Sequence, residues 1–137
     1  MKTSKVILIT GASSGIGYDT ASALAKQGHK VYAAARRMEK MEPLRQVGVV
    51  PIRMDVTDEA SIKDALDIVM QAEGRIDVLI NNAGYGYFGA IETVSMEEAR
   101  RQVEVNVFGL ARLCQLVLPI MRQQGRGRII NTSSVAG

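Results

Sequence analysis

Signals for disulfides, metal sites and membrane insertion are nearly absent from this sequence of 137 residues. It contains one cysteine, Cys114, and one histidine, so an internal disulfide is excluded and no Cys or His cluster is available for a metal. The uninterrupted apolar runs are only a few residues long, too short for a membrane helix or a signal peptide. We therefore expect a cytoplasmic protein without a metal site and without membrane partners.

An excess of charge of one sign is also lacking. The chain has 17 Lys and Arg residues against 14 Asp and Glu residues, a net charge of +3, and no run of Lys and Arg is longer than two. Nucleic-acid binding is therefore not predicted, although a slight positive bias suits an anionic cofactor. A hydrophobic share of 47% and a charged share of 23% are ordinary for a globular protein. We expect residues 1–137 to form one domain with its own core.

The stretch 10–17, Thr-Gly-Ala-Ser-Ser-Gly-Ile-Gly, joins a short apolar run to an amphipathic one. It predicts a strand, a glycine-rich turn and the start of a helix. A tight turn, a close backbone approach to a ligand and close helix packing each require a glycine here. Free N–H groups at the first helical turn favour an anion, and serine hydroxyls there cap the helix or contact the ligand. The predicted cofactor-binding residues of this turn are Gly11, Ser13, Ser14, Gly15, Ile16 and Gly17.

The residues after this turn narrow the class of phosphate ligand. A nucleotide-triphosphate P-loop requires Lys followed by Ser or Thr after its last glycine, whereas Tyr18 and Asp19 follow Gly17. The pattern favours a dinucleotide instead. An ordinary loop between a strand and a helix is the alternative interpretation.

The hydrophobic period predicts alternating strands and helices. Strands are expected at 5–10, 30–35, 49–53, 76–80 and 128–132. Helices are expected at 16–27, 38–46, 58–73 and 95–123; Pro43 weakens the second, Thr57 caps the third, and a capping box of Ser95 and Glu98 opens the fourth. Alternation of this kind predicts an α/β fold with a doubly wound parallel sheet of about five strands. By analogy with the Rossmann arrangement, the strand order is 3-2-1-4-5 and a ligand crevice lies outside strands one and four.

The end of the second predicted strand lacks the acidic residue that commonly holds the ribose 2′-hydroxyl of NAD. Arg36 and Arg37 stand there instead. Because a guanidinium presents a planar fork that matches phosphate, this pair favours NADP, with NAD as the second choice. The alternative is a solvated pair of charges in a loop.

Two further groups of residues follow strands of the predicted sheet. A carboxylate at Asp55 can accept a hydrogen bond from an adenine amino group while Val56 packs against the ring; the alternative is a simple turn residue. The amides of 81–82, before Ala83 and Gly84, can join two loops and also touch a cofactor. The predicted cofactor contacts from this group are Asn82, Ala83 and Gly84.

These motifs together resemble the classical short-chain dehydrogenase/reductase family, and the resemblance runs from residue 5 to residue 137. Five motifs stand in family order: Thr-Gly-x-x-x-Gly-x-Gly at 10–17, Asp-Val at 55–56, Asn-Asn-Ala-Gly at 81–84, Asn-Val at 106–107 and Asn-Thr-Ser-Ser-Val-Ala-Gly at 131–137. The resemblance implies an oxidoreductase that transfers hydride between a nicotinamide and a small carbonyl or alcohol substrate. It also implies that Asn106 anchors a proton-relay water and that Ser134 bonds the substrate oxygen.

One required element of the family pattern is absent from residues 1–137. The family's catalytic Tyr-x-x-x-Lys pair follows the serine, and none of the tyrosines in this sequence has a lysine four residues on. We therefore expect a truncated, cofactor-binding half that is inactive by itself. The alternatives are a non-catalytic dinucleotide-binding or regulatory module, or a methyltransferase-like domain that binds S-adenosylmethionine.

The long helix at 95–123 shows two apolar stripes on a helical wheel. The first, from Val103 to Met121, is broad enough to face the sheet. The second includes Leu113, Leu116 and Ile120, and an uncovered apolar face of this size favours a partner. The resemblance likewise implies packing of this helix against another subunit. We expect the complete protein to be a homo-oligomer formed through the second stripe; the alternative is that flanking side chains and loops cover these residues.

Overall fold

A computed structural model gives the fold of residues 3–85 and 89–133. Five parallel strands form one sheet in the order 3-2-1-4-5, which confirms the predicted fold class. The strands are β1 (Val6–Thr10), β2 (Lys30–Ala35), β3 (Val50–Arg53), β4 (Val78–Asn81) and β5 (Arg128–Asn131). The helices are α1 (Gly15–Lys26), α2 (Met38–Met41), α3 (Glu59–Glu73), α4 (Met96–Val103) and α5 (Leu110–Gln124).

Strand β1 is the centre of the sheet, and all five of its residues are buried. Its Ile9 lies beside Ala33 of β2 on one side and Ile80 of β4 on the other. Because successive side chains of a strand point to opposite faces, Leu8 packs into one core cluster and Ile9 into another. The four consecutive apolar residues that begin β1 are therefore what a sheet covered on both faces requires.

The segment between β2 and α3 differs in detail from the expected elements. The predicted helix at 38–46 is a single α-helical turn, α2, followed by a 3₁₀ helix at Glu42–Val47 with Pro43 near its start. The cap of α3 is Asp58 rather than Thr57, because the Asp58 carboxylate accepts from the N–H groups of Ala60 and Ser61. Thr57 instead donates to Asp55.

The predicted long helix is present but is not uniformly α-helical. Ser95 caps it by accepting from the N–H of Glu98 at 3.1 Å, as the sequence indicates. Between α4 and α5, however, the residues Glu104–Gly109 form a π-helix. A π segment holds more residues per turn than an α-helix, so the residues before and after it do not fall on one helical wheel.

The prediction of two separate apolar stripes is wrong, because the apolar residues of both stripes follow one another along α5 at spacings of three and four residues and so form one face. Leu113, assigned to an oligomer interface, is fully buried, and Leu116 and Ile120 pack against the same core cluster. Conversely, several residues assigned to the sheet-facing stripe are exposed. The exposed large apolar residues of this helix, with their exposed fractions, are Met96 (64%), Val103 (45%), Val107 (53%), Phe108 (58%) and Leu118 (41%).

By length and composition alone, the helical stretch Met96–Gln124 is long and apolar enough to cross a membrane, with a mean hydropathy of 1.5 over its best 18-residue window. The expectation from short apolar runs did not anticipate this. Core helices of globular proteins meet the same criterion. Here Leu113, Val117 and Met121 of this helix are buried in the cluster that covers one face of the sheet.

Candidate cofactor-binding cleft

A cleft of about 640 Å³ lies at the carboxyl ends of β1 to β4, where the sequence places a ligand crevice. It brings together residues from Thr10 to Val105, far apart in the chain. The predicted cofactor contacts that line it are Gly11, Ser13, Ser14, Arg36, Arg37, Asp55, Val56, Asn82, Ala83 and Gly84. Gly15, Ile16 and Gly17 do not line it, although they belong to the same turn.

The glycines of the turn serve different purposes. Gly11 has a φ of +64°, and a Cβ there would lie 2.7 Å from the Asn82 carbonyl oxygen. A Cβ on Gly17 would collide with the Gly11 carbonyl oxygen and lie 2.5 Å from Asn82 Nδ2. Gly15, with a φ of +59°, faces open space. Gly11 and Gly17 are thus required by packing, whereas Gly15 leaves room for an approaching ligand.

The end of β1 is joined to the end of β4 by side-chain hydrogen bonds. The buried Thr10 hydroxyl accepts from the backbone N–H groups of Asn82 and Ala83, each at 3.0 Å. In return, Asn82 Nδ2 donates to the Gly11 carbonyl at 3.2 Å. The amide thus joins two loops, one of the two functions that the sequence suggests for it. Thr10 lines the cleft as well, and its position at the start of the glycine motif was the only sequence signal for its role.

Two arginines give the cleft a positive charge where β2 ends. Arg36 and Arg37 follow β2 and line the cleft, and among residues 3–85 and 89–133 neither forms an ion pair with a carboxylate. Ser14 is the N-cap of α1, and its hydroxyl caps no N–H group of the described helix. Uncommitted guanidinium and hydroxyl donors beside a helix N-terminus form a suitable environment for phosphate.

Asp55 is held in a turn after β3. Its carboxylate oxygen Oδ1 accepts from the Thr57 N–H at 2.9 Å and the Thr57 hydroxyl at 2.7 Å, and its own N–H donates to Ser61 Oγ at 2.8 Å. Partial burial raises the pKa of Asp55, while the hydrogen bonds from Thr57 lower it. The positive charges of Arg36 and Arg53 lower it further, so the net pKa lies below the ordinary value. Asp55 is therefore a fixed, ionised acceptor at the cleft.

Asn106, one of the two predicted catalytic residues, lies in the π segment and not on the cleft surface. Its Oδ1 accepts from the Tyr85 N–H at 3.0 Å and its Nδ2 donates to the Tyr85 carbonyl at 2.7 Å. A Cβ on Gly84 would lie 2.8 Å from Asn106 Oδ1. Its side chain therefore positions the chain directly after β4. The other predicted catalytic residue, Ser134, lies outside the described residues.

Several residues that line the cleft lie outside the predicted cofactor contacts, among them Tyr85, Glu98, Arg101 and Val105. Burial raises the pKa of the Tyr85 phenol, and the neighbouring Glu98 carboxylate raises it further. Glu98, Arg101 and Val105 share one face of the long helix across the α4–π junction. No motif marks them, because only the path of that helix over the carboxyl edge of the sheet brings them to the site.

Comparison with known proteins agrees with the fold and the motifs. The sequence model of the short chain dehydrogenase family matches residues 5–137. The chain belongs to the short-chain dehydrogenase family. Among curated members, the 3-ketodihydrosphingosine reductase of Bacteroides thetaiotaomicron is 46% identical over 134 residues, which are 97% of this chain and 48% of that protein. The chain thus spans about half the length of the curated relatives it matches.

Solved structures of short-chain dehydrogenases superpose on this chain. A short-chain dehydrogenase from Streptomyces avermitilis matches with a TM-score of 0.91 and 41% identity, over 96% of this chain and 50% of that one. An alcohol dehydrogenase from Thermococcus sibiricus, in complex with 5-hydroxy-NADP, has a TM-score of 0.89 and 33% identity over 96% of this chain and 59% of its own. A 3-ketoacyl-(acyl-carrier-protein) reductase from Brucella melitensis, in complex with NADH, has a TM-score of 0.90 and 33% identity over 95% and 57%. Both forms of the dinucleotide thus occur on this fold.

Proposed function

We propose that these 137 residues supply the NADP(H)-binding half of an oxidoreductase that transfers hydride between a nicotinamide and a small carbonyl or alcohol substrate. The observation that carries the choice of NADP is the position of Arg36 and Arg37. Both guanidiniums line the cleft at the end of β2, where an acidic residue is expected in an NAD-binding protein. Arginine binds phosphate with charge-assisted hydrogen bonds, and its charge persists at every physiological pH.

The other cleft residues fit the remaining parts of a dinucleotide. The turn before α1 offers backbone N–H groups and the Ser13 and Ser14 hydroxyls to the pyrophosphate. Asp55 and Val56 line the cleft, where ionised Asp55 would accept from the adenine amino group and Val56 would pack against the ring. When bound, the nicotinamide carries the hydride. The chain's own residues hold and orient the cofactor, with Asn106 fixing the loop beside it.

Titration of the purified chain with NADP(H), NAD(H) and S-adenosylmethionine, followed by calorimetry or nucleotide fluorescence, tests this function. We expect NADP to bind at least about tenfold more tightly than NAD, because a charge-assisted bond contributes about 1.5–3 kcal/mol. Equal affinity for the two dinucleotides would contradict the choice of NADP. Binding of S-adenosylmethionine alone would instead support a methyltransferase-like domain.

We propose that residues 1–137 by themselves bind cofactor without turning over an alcohol or carbonyl. The sequence has no Tyr-x-x-x-Lys pair, and a tyrosine with a pKa near 10 needs a fixed neighbouring cation to exchange a proton near neutral pH. Hydride transfer by the purified 137-residue chain would contradict this. The gene sequence that flanks these residues distinguishes a natural non-catalytic module from the cofactor-binding half of an enzyme, because only the latter is expected to encode a Tyr-x-x-x-Lys pair.

We further propose that the complete protein is a cytoplasmic homo-oligomer that associates through the long helix. The supporting observation is the set of large apolar side chains that this helix exposes, Val107, Phe108 and Leu118 among them. Exposed apolar side chains that cluster together mark an interaction surface. These residues replace Leu113, Leu116 and Ile120 as the interface, since the latter contribute to the core. The modest net charge supports no nucleic-acid partner.

A further inference from the structure

Arg101 brings a third arginine to the cleft, from a different element than Arg36 and Arg37. It lies on α4 and lines the same cavity, although 64 residues separate it from Arg37. Tyr85 lines the cavity as well, and the positive charges of Arg101 and Arg36 both lower the pKa of its phenol, so both arginines lie near it. The cleft thus receives cations from α4 as well as from the end of β2, and only the latter were predicted from the sequence.

The existing partners of Arg101 hold it weakly. Its Nη1 lies 3.4 Å from Glu98 Oε2 and its Nη2 lies 3.5 Å from Glu97 Oε1, near the outer limit for ion pairs. The Arg101 side chain is 61% exposed, so solvent screens both pairs. A phosphate dianion offers a stronger acceptor than either carboxylate. The side chain therefore gains by exchanging glutamate for phosphate whenever phosphate enters the cleft.

We propose that Arg101 is a specificity-determining residue for the 2′-phosphate of the cofactor, and that Glu98 limits its availability by holding it on α4. This inference rests on the proposed NADP(H) function. In the cleft without a phosphate, Glu98 and Glu97 neutralise Arg101. When the 2′-phosphate binds in the cleft, Arg101 leaves Glu98 and contacts it together with the guanidiniums that follow β2. NAD, which has no phosphate at this position, does not draw Arg101 away.

The test uses the full protein that the gene encodes. Three single variants, and one double variant described below, are each titrated with NADP and with NAD. Arg101→Gln is expected to weaken NADP binding about threefold or more and to leave NAD binding unchanged. Glu98→Gln is expected to strengthen NADP binding about twofold, because Arg101 is released. Arg100→Gln removes the same charge from the adjacent residue, which does not line the cleft, and is expected to change neither affinity.

Glu98→Gln could strengthen NADP binding either by releasing Arg101 or by removing the repulsion between Glu98 and the phosphate. The double variant Glu98→Gln/Arg101→Gln distinguishes these two effects. If Glu98 acts through Arg101, its removal gives no gain once Arg101 is gone. A gain that persists in the double variant would show that Glu98 only repels phosphate and would overturn the proposal.

The ratio of the NADP affinity to the NAD affinity separates this proposal from the proposed function. If Arg101→Gln leaves that ratio unchanged while an Arg36 variant alters it, the role of Arg101 is overturned and the proposed function stands. Absence of binding for both dinucleotides would overturn the two together. The thermal unfolding temperature of each variant is measured as well, so that affinities are compared only between folded proteins.

Discussion

The side chain of Asn106 holds the backbone of Tyr85 from both sides: Nδ2 donates to the Tyr85 carbonyl at 2.7 Å and Oδ1 accepts from its N–H at 3.0 Å. Tyr85 follows directly on Gly84 at the edge of the cleft, whereas Asn106 lies in the π segment of the long helix. The pair therefore fastens the helix to the loop after β4. The helix geometry and the shape of the cofactor site are thus linked through one amide.

Asn106→Asp is expected to weaken NADP binding about fivefold, equivalent to roughly 1 kcal/mol for one lost hydrogen bond. A carboxylate still accepts from the Tyr85 N–H but cannot donate to its carbonyl and repels it instead. Calorimetric titration measures the change. Gln123→Glu is the matched control, because Gln123 is exposed at the far end of the same helix. Unaltered affinity in Asn106→Asp would show that the loop keeps its position without this amide.

Thr10→Val is expected to lower the free energy of unfolding by about 2 kcal/mol. The change preserves the shape of the side chain but leaves the N–H groups of Asn82 and Ala83 without their acceptor. Urea denaturation monitored by circular dichroism measures it. Thr10→Ser keeps the hydroxyl and is expected to lose less. If the two variants are equally stable, the hydroxyl does not hold β1 to β4.

Arg36→Asp is expected to weaken NADP binding tenfold or more and to leave NAD binding equal or better, because a carboxylate accepts from a ribose 2′-hydroxyl and repels a 2′-phosphate. Paired titrations of both dinucleotides give the ratio. Arg126→Asp makes the same charge change in the turn before β5, at the opposite edge of the sheet. A similar loss of NADP affinity in both variants would show that the net charge of the protein affects binding through long-range electrostatics, and that Arg36 makes no direct contact with the 2′-phosphate.

Leu118→Glu is expected to convert an associated protein into monomers, since it places a charge among the exposed apolar residues of the helix. Analytical ultracentrifugation of the wild type and the variant measures the mass. Leu116→Glu is expected to unfold the chain instead, because Leu116 packs against the core. A wild-type monomer whose mass and stability are insensitive to Leu118→Glu would rule out this helix face as an interface.

The ion pair between Glu59 and Arg112 predicts an acid-dependent loss of stability. Arg112 Nε lies 2.8 Å from Glu59 Oε2, and hydrogen bonds from Arg112 lower the pKa of Glu59 from 4.5 to about 2. A lowered pKa stabilises the folded state fully above pH 4.5, and that contribution disappears as the pH falls toward 2. Arg112→Gln should therefore be less stable than the wild type at neutral pH.

Urea midpoints measured from pH 7 to pH 2 test this prediction. The difference between wild type and Arg112→Gln is expected to shrink across the interval from 4.5 to 2. Arg122→Gln, an exposed position on the same helix, is expected to show a smaller difference with no such pH dependence. A constant difference between wild type and Arg112→Gln at every pH would mean that Arg112 stabilises by packing alone.

The sequence by itself determined the fold and the family. A strand that begins with four apolar residues in a row, such as β1, has to be covered on both faces, and strands that alternate with helices have to pair in parallel. The glycine spacing was equally decisive, because it marks the turn between β1 and α1. Periodicity and turn residues are visible in the sequence, whereas the contact of Gly11 with Asn82 that explains its glycine appears only in the folded chain.

Tertiary structure alone decided which side chains of the long helix face the sheet, the cleft or solvent. A helical wheel assumes a constant 100° per residue, and the π segment at Glu104–Gly109 breaks that assumption. Gly109 permits the segment to approach Val56, where a Cβ would lie 2.9 Å from the Val56 carbonyl oxygen. Arg101 and Val105, before and within that segment, line the cleft, whereas Leu113 beyond it is buried in the core. Helical periodicity groups residues on one face, but which face meets the sheet or the cleft depends on contacts with residues far away in the sequence.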